Sequence, residues 1–302
     1  MASINKIIKL IILFIITSFL SSNVVFANDH IFHPHSKYLT LASTAKLNQK
    51  NQNLLNSFNS KSAFLVDHSS NSIIYSKNSD QIAPIASLTK LMTAMVVLDS
   101  QLDLNKIITI SEDDIDYLKN SRSYLFVGFR IRRIDAMLLM LMSSDNRAAS
   151  ALARYYPTGK AGFIKDMNAK AKQIGMNSTN FEDPSGLSEG NVSNARDLAL
   201  MVTTANNYPL IRQFSTTPKA MVHYQDQTIN FINTNPKIRD SSENVMKIIL
   251  SKTGYIRESG FCLAMTAYVG SRPITIILMD AKSRRARLMD IAKISKWANE
   301  ML

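Results

Sequence analysis

The chain has 302 residues, of which 46% are hydrophobic, enough to bury a substantial core in one or two domains. Its formal net charge of +12 suits an anionic wall or membrane face, but a solvated basic surface explains it equally, so charge alone excludes no class. Cys262 is the only cysteine, which excludes an intramolecular disulfide and reads as an inert buried thiol.

Residues 1–27 read as a secretory signal peptide. Lys6 and Lys9 supply a positive start, the stretch 7–20 is mostly apolar, and Val25 and Ala27 are small residues placed for cleavage after Ala27. The alternative is an uncleaved anchor, but the apolar run is short for a full span and no later stretch is long enough. A soluble, periplasmic mature protein with no stable membrane anchor is therefore expected. Residues 28–60 form a polar leader with some helix around 47–58. His30, His33 and His35 lack acidic or cysteine partners and read as a flexible segment rather than a metal site.

Residues 61–302 carry the structured part. Residues 62–67 and 72–76 read as a β-hairpin. Pro84 and the small residues after it form a turn into a buried helix from Leu88, with Ser87 in its first turn. Residues 135–155 are helical, interrupted at Ser143-Ser144-Asp145-Asn146 by residues that prefer caps and turns. A loop tip pointing into a cleft would explain polar residues inside so apolar a stretch, although a plain helix–helix junction would do so too. An amphipathic helix over 159–176, a turn at 183–187, a helix capped by Ser193 to Asp197 and a loop at 233–236 follow. The stretch 245–250 reads as a strand running into Lys252-Thr253-Gly254, residues 260–269 and 273–279 as a hairpin, and 284–302 as a closing helix. Two early strands, a helical middle, three late strands and a last helix predict an α+β fold whose antiparallel sheet is assembled from both chain ends. Internal repeats, low-complexity arrays and a glycine-rich phosphate loop are absent, and no cofactor, metal or nucleic-acid partner is expected.

Ser87 and Lys90 stand three residues apart and share one helix face. Unpaired N–H groups at a helix start favour a developing oxyanion, and a serine beside a lysine can act as nucleophile and base. The spacing alone is weak. Ser3/Lys6 and Ser43/Lys46 share it, and Ser87 as an N-cap with Lys90 as a surface lysine would satisfy it. The triplets Ser144-Asp145-Asn146 and Lys252-Thr253-Gly254 each occur once, and all three elements come in the order used by active-site serine penicillin-recognising enzymes.

Over about residues 60–300 the chain resembles the low-molecular-mass penicillin-binding proteins of the D-alanyl-D-alanine carboxypeptidase family. The run 141–149 and the short C-terminal end look most like its D-alanyl-D-alanine endopeptidase branch. The resemblance implies a β-lactamase/transpeptidase-like fold, peptidoglycan stem peptides as substrates, and covalent binding of β-lactams. It also implies a role for each matching residue. Ser87 would be the acyl-accepting nucleophile, Lys90 its general base and Ser144 a proton relay to the leaving amine. Asn146 would bind the substrate backbone, Lys252 would supply positive potential and orient Ser144, and Thr253 would anchor substrate beside the strand. Gly254 would allow close approach, and the N–H groups of Ser87 and Tyr255 would form the oxyanion hole. Burial and the Lys252 cation are expected to lower the Lys90 pKa from about 10.4 toward 7, leaving it neutral at rest. Carboxypeptidases of the family carry an arginine after the Lys-Thr-Gly strand; here the nearest match is Lys282, which lacks a guanidinium fork. That departure favours cleavage of cross-links over trimming of pentapeptides, with carboxypeptidase activity and a catalytically silent wall-binding protein as the alternatives. A class A β-lactamase needs a glutamate-activated water, and Glu182 lies in a different setting.

Overall fold

The computed structural model describes residues 55–68, 70, 72–224, 227–239 and 246–300. The signal peptide, the three leader histidines and most of the leader helix lie outside the described residues. Leu55 and Phe58, at the end of the leader, are buried.

The chain runs through β1 (Ser62–Asp67), β2 (Ser72–Lys77), the short β3 (Ala83–Pro84), a 3-10 turn (Ala86–Thr89) and α1 (Lys90–Asp99). β4 (Ile107–Thr109) and β5 (Arg130–Arg132) pair as a small ribbon around a long loop. Then come α2 (Arg133–Met142), α3 (Asn146–Arg154), α4 (Gly159–Gln173), β6 (Val192–Ser193), α5 (Ala195–Ala205) and α6 (Pro209–Ser215). The ribbon of β7 (Lys219–Tyr224) and β8 (Gln227–Ile232) and the single turn α7 (Pro236–Arg239) lead to β9 (Lys247–Ile256), β10 (Gly260–Val269), β11 (Arg272–Ala281) and α8 (Arg284–Glu300).

β1 pairs antiparallel with β11, Phe64 opposite Ile277, so the sheet is closed by the two chain ends as expected. Its order is β2-β1-β11-β10-β9, which leaves β9 at an edge. The strands read as continuous apolar runs because both faces are covered. Phe64, Val66, Ala264 and Ile277 enter the core shared with the helical lobe. Their neighbours Ala63, Leu65, Leu263 and Ile276 enter a second core closed by Ile291, Ile294 and Trp297 of α8. This period-two alternation gives three layers: α8, the sheet and the helical lobe.

At the centre of the lobe α1 is buried from Lys90 to Val97, as its all-round apolar sequence requires. Its start differs from expectation. Ala86 adopts a left-handed backbone (φ 48), which forces a tight 3-10 turn before the α-helix begins at Lys90. The helix expected over 159–176 ends at Gln173, where Gly175 (φ 86) turns the chain away. The β7–β8 ribbon was not foreseen, because its strands mix apolar and polar residues and bury Phe231 while exposing Met221 and Ile232. Among the described residues no helix is long and apolar enough to cross a membrane.

Candidate active site

Three segments distant in sequence meet at one cleft. The 3-10 turn carries Ser87, the first residue of α1 is Lys90, the α2–α3 junction carries Ser144 and Asn146, and the edge strand β9 carries Lys252 to Tyr255. Lys90 is fully buried, and its Nζ lies 2.9 Å from Ser87 Oγ, 2.6 Å from Asn146 Oδ1 and 2.6 Å from the Ser185 carbonyl oxygen. Asn146 donates its Nδ2 to Ser121 Oγ at 2.8 Å, which fixes the amide with its oxygen toward Lys90. Lys252, also buried, donates to Ser144 Oγ at 2.9 Å. Thr253 Oγ1 donates to Thr234 Oγ1 at 2.7 Å.

The α2–α3 junction is the loop tip expected from its polar residues. Ser144 takes a left-handed backbone (φ 64), and Asp145 caps α3 by accepting from the Ala148 N–H at 2.9 Å. Asp145 also accepts from Ser123 Oγ at 2.7 Å, so it is buried as a cap. β9 packs directly on the turn that carries Ser87 because residue 254 has no side chain. A Cβ there would stand 2.9 Å from the Ile85 carbonyl oxygen and 3.2 Å from the Ser87 nitrogen. Tyr255 follows, its ring exposed and stacked on Phe261 at 4.2 Å between centroids.

Burial lowers the Lys90 pKa to about 8, against the opposing pull of Asp183, Asp145 and Asp116. Lys252 is pushed well below the usual lysine range by burial first, then by the charges of Lys90 and Arg287. The downward direction expected for Lys90 holds, but the charges of three aspartates keep the value above 7, so the amine is mostly protonated at pH 7 and not neutral at rest as expected. Burial also raises the Asp145 carboxyl.

Several residues of the site escaped the sequence reading. Asp183 accepts from the N–H groups of Ser185, Gly186 and Ser188, and so builds the turn that aims the Ser185 carbonyl at Lys90. Gly186 (φ 84) presses this turn on the turn that carries Ser87, since a Cβ there would meet the Ala86 carbonyl oxygen at 1.9 Å. Asn191, fully buried, donates to Thr89 Oγ1 and to the Asp183 carbonyl. Arg287 on α8 is buried and donates to the Cys262 carbonyl at 2.9 Å, while Lys282 is exposed just past the end of β11. Only the 183–187 turn had a local signal, its Asp-Pro-Ser-Gly composition.

A family model described as D-alanyl-D-alanine carboxypeptidase matches residues 42–283. The chain is 42% identical to the D-alanyl-D-alanine endopeptidase of Pseudomonas aeruginosa over 240 residues, 79% of this chain and 76% of that protein. It is equally similar to the Escherichia coli protein of that name. The Bacillus subtilis D-alanyl-D-alanine carboxypeptidase DacF is 29% identical, covering 79% of this chain and 61% of that one. Among solved structures, a Streptomyces DD-transpeptidase superposes with a TM-score of 0.73 at 26% identity, covering 81% of this chain and 98% of that one. A penicillin-binding protein of Listeria monocytogenes in its ampicillin-bound form gives 0.68 at 26% identity, covering 80% and 98%. With the fold and the sequence agreeing along most of its length, this chain belongs to the D-alanyl-D-alanine carboxypeptidase family of penicillin-binding serine peptidases.

Proposed function

We propose that the protein is an exported serine D,D-peptidase that cleaves D-alanyl cross-links of peptidoglycan through an acyl-enzyme on Ser87. The observation that carries this reading is the surroundings of Lys90. A neutral amine has two N–H groups and one lone pair. Asn146 Oδ1 and the Ser185 carbonyl can only accept, so they take the two N–H groups and leave the lone pair facing the Ser87 hydroxyl. That is the orientation a general base needs.

Ser87 Oγ then attacks the D-alanyl carbonyl carbon as its proton passes to Lys90. The oxyanion is held by the N–H groups of Ser87 and Tyr255. Ser144, oriented by Lys252, carries a proton to the departing amine as the C–N bond breaks. Water hydrolyses the ester, releasing the D-alanyl carboxylate and restoring the serine. Thr253 anchors the substrate along β9, and Asn146 binds its backbone. β-Lactams acylate the same serine; the ampicillin-bound Listeria relative supports this.

Cross-link cleavage is favoured by the two relatives at 42% identity, both named endopeptidases, and by the lone exposed Lys282 where trimming enzymes carry an arginine. Carboxypeptidase activity is the second reading, favoured by the family description and by relatives such as the Bacillus subtilis protein. Export rests on the signal-peptide features of residues 1–27. The test is product analysis of the mature protein, beside Ser87→Ala, on cross-linked muropeptide dimers mixed with pentapeptides. Serine-dependent conversion of dimers to monomers is expected. Release of D-alanine alone would favour the carboxypeptidase, and no turnover would leave a silent wall-binding protein.

A further inference from the structure

The 183–188 turn meets the start of α1 at several points. Gly186 lies against Ala86, the Ser185 carbonyl accepts from Lys90, and Asn191 donates to Thr89 Oγ1 at 3.0 Å and to the Asp183 carbonyl at 2.8 Å. Next on the same helix face comes Thr93, three residues beyond Lys90 and fully buried. Its Oγ1 donates to the Pro184 carbonyl oxygen at 2.6 Å; the Met167 sulfur, a weak acceptor, stands 4.0 Å away. A helical threonine commonly turns its hydroxyl back to a carbonyl of its own helix, as Thr203 does to Ala199 and Thr204 to Leu200 in α5. Thr93 instead spends its one proton on a turn 91 positions away in sequence.

That bond fixes two successive peptide groups. The peptide joining Pro184 to Ser185 is held at its oxygen by Thr93 and at its N–H by Asp183 Oδ1, 2.6 Å away. The next peptide is held at its N–H by the same Asp183 oxygen at 2.8 Å, and its oxygen is the one that faces Lys90. Resting on the D,D-peptidase reading, we propose that Thr93 is a positioning residue for Lys90: it holds Pro184 so that the Ser185 carbonyl occupies one N–H of the amine and the lone pair faces Ser87. Without the hydroxyl the buried Pro184 carbonyl loses its partner, and the turn is left to pivot on Asp183. A withdrawn Ser185 carbonyl then has two effects. The amine turns, which makes it a slower base, and the ammonium loses an acceptor, so its proton leaves at lower pH. The charged groups around Lys90 are Asp183 in the turn, Asp145 at the α2–α3 junction, Asp116 in the β4–β5 loop and Lys252 on β9. Thr93→Val alters none of them.

The test is the rate of Ser87 acylation by a penicillin from pH 6 to 10 in the mature protein, Thr93→Val and Thr93→Ser. Valine keeps the shape and removes the donor; serine keeps the donor. Thr93→Val should lower the alkaline plateau by about tenfold and move the limb to lower pH than in the wild type. Thr93→Ser should bring the plateau back to within about threefold and return the limb to its wild-type position. Complete labelling at long times reports that each variant is folded. Should Thr93→Val fail to fold, Thr93→Cys, whose thiol is a weak donor, takes its place with the same two readouts. An unchanged plateau and limb overturn the proposal. So does a lower plateau with the limb in place, because the hydroxyl would then only support the fold. A serine variant as slow as the valine one also overturns it, since the lost element would be packing. Each of these results, in a wild type that takes penicillin on Ser87, refutes the positioning role alone. A wild type that takes none refutes the peptidase reading beneath it.

Discussion

A lysine flanked by two fixed acceptors and one hydroxyl works as a base only in the fraction that has lost its proton. With a pKa of about 8, Lys90 is neutral in about one molecule in ten at pH 7. The rate of Ser87 acylation by a penicillin should therefore rise with pH through a limb near 8, because deprotonation creates the active form. A profile flat from pH 6 to 10 would contradict the role given to Lys90. Of the aspartates that hold the proton on, Asp183 pulls hardest, so Asp183→Asn should move the limb to lower pH. At this scale the motifs were legible but their field was not. The Lys252 cation was expected to depress Lys90; instead burial lowers Lys90, and it is the charge of Lys90 that helps depress Lys252. The aspartates that oppose burial come from three separate stretches, and no spacing in the sequence places them around one amine.

Each element of the candidate site is positioned by a backbone feature that a larger or different side chain would spoil. Gly254→Ala would push β9 away from the Ile85 carbonyl. Acylation should fall by roughly tenfold to 100-fold while circular dichroism stays native. Asp145→Ala removes the α3 cap and the bond from Ser123, and should cost about 1 kcal/mol in denaturant unfolding. Because the cap stands between Ser144 and Asn146, acylation should fall as well; an unchanged rate would mean that the junction holds its shape without it. The interruption at residues 143–146 was readable, since cap-forming residues stood inside an apolar run. The role of the 183–188 turn was not. Gly186 lies against Ala86 across a hundred positions of chain, and only the fold brings them together.

In the molecule as a whole, the two halves of the candidate active site belong to different layers. Ser87 and Lys90 sit in the helical lobe, and Lys252 to Tyr255 sit on the sheet edge. The sheet was legible because strands covered on both faces are long and apolar, as in β10 and β11, and the chain order left one antiparallel solution. The β7–β8 ribbon was hidden because a two-stranded element with one exposed side needs little apolar sequence. It leads directly to Thr234, which donates its N–H to the Met142 carbonyl and accepts from Thr253, joining the α2 end to the sheet edge. This closed ring of contacts brings Ser144 to Lys252 without any bond in sequence between them.

The most direct measurement is mass-spectrometric peptide mapping of the mature protein after reaction with a penicillin, with Lys90→Ala alongside. One adduct on the peptide containing Ser87, formed at least roughly 1,000-fold more slowly in the lysine variant, is the expected result. An adduct on another serine, no adduct at all, or equal rates in the two proteins would contradict Ser87 and Lys90 as nucleophile and base.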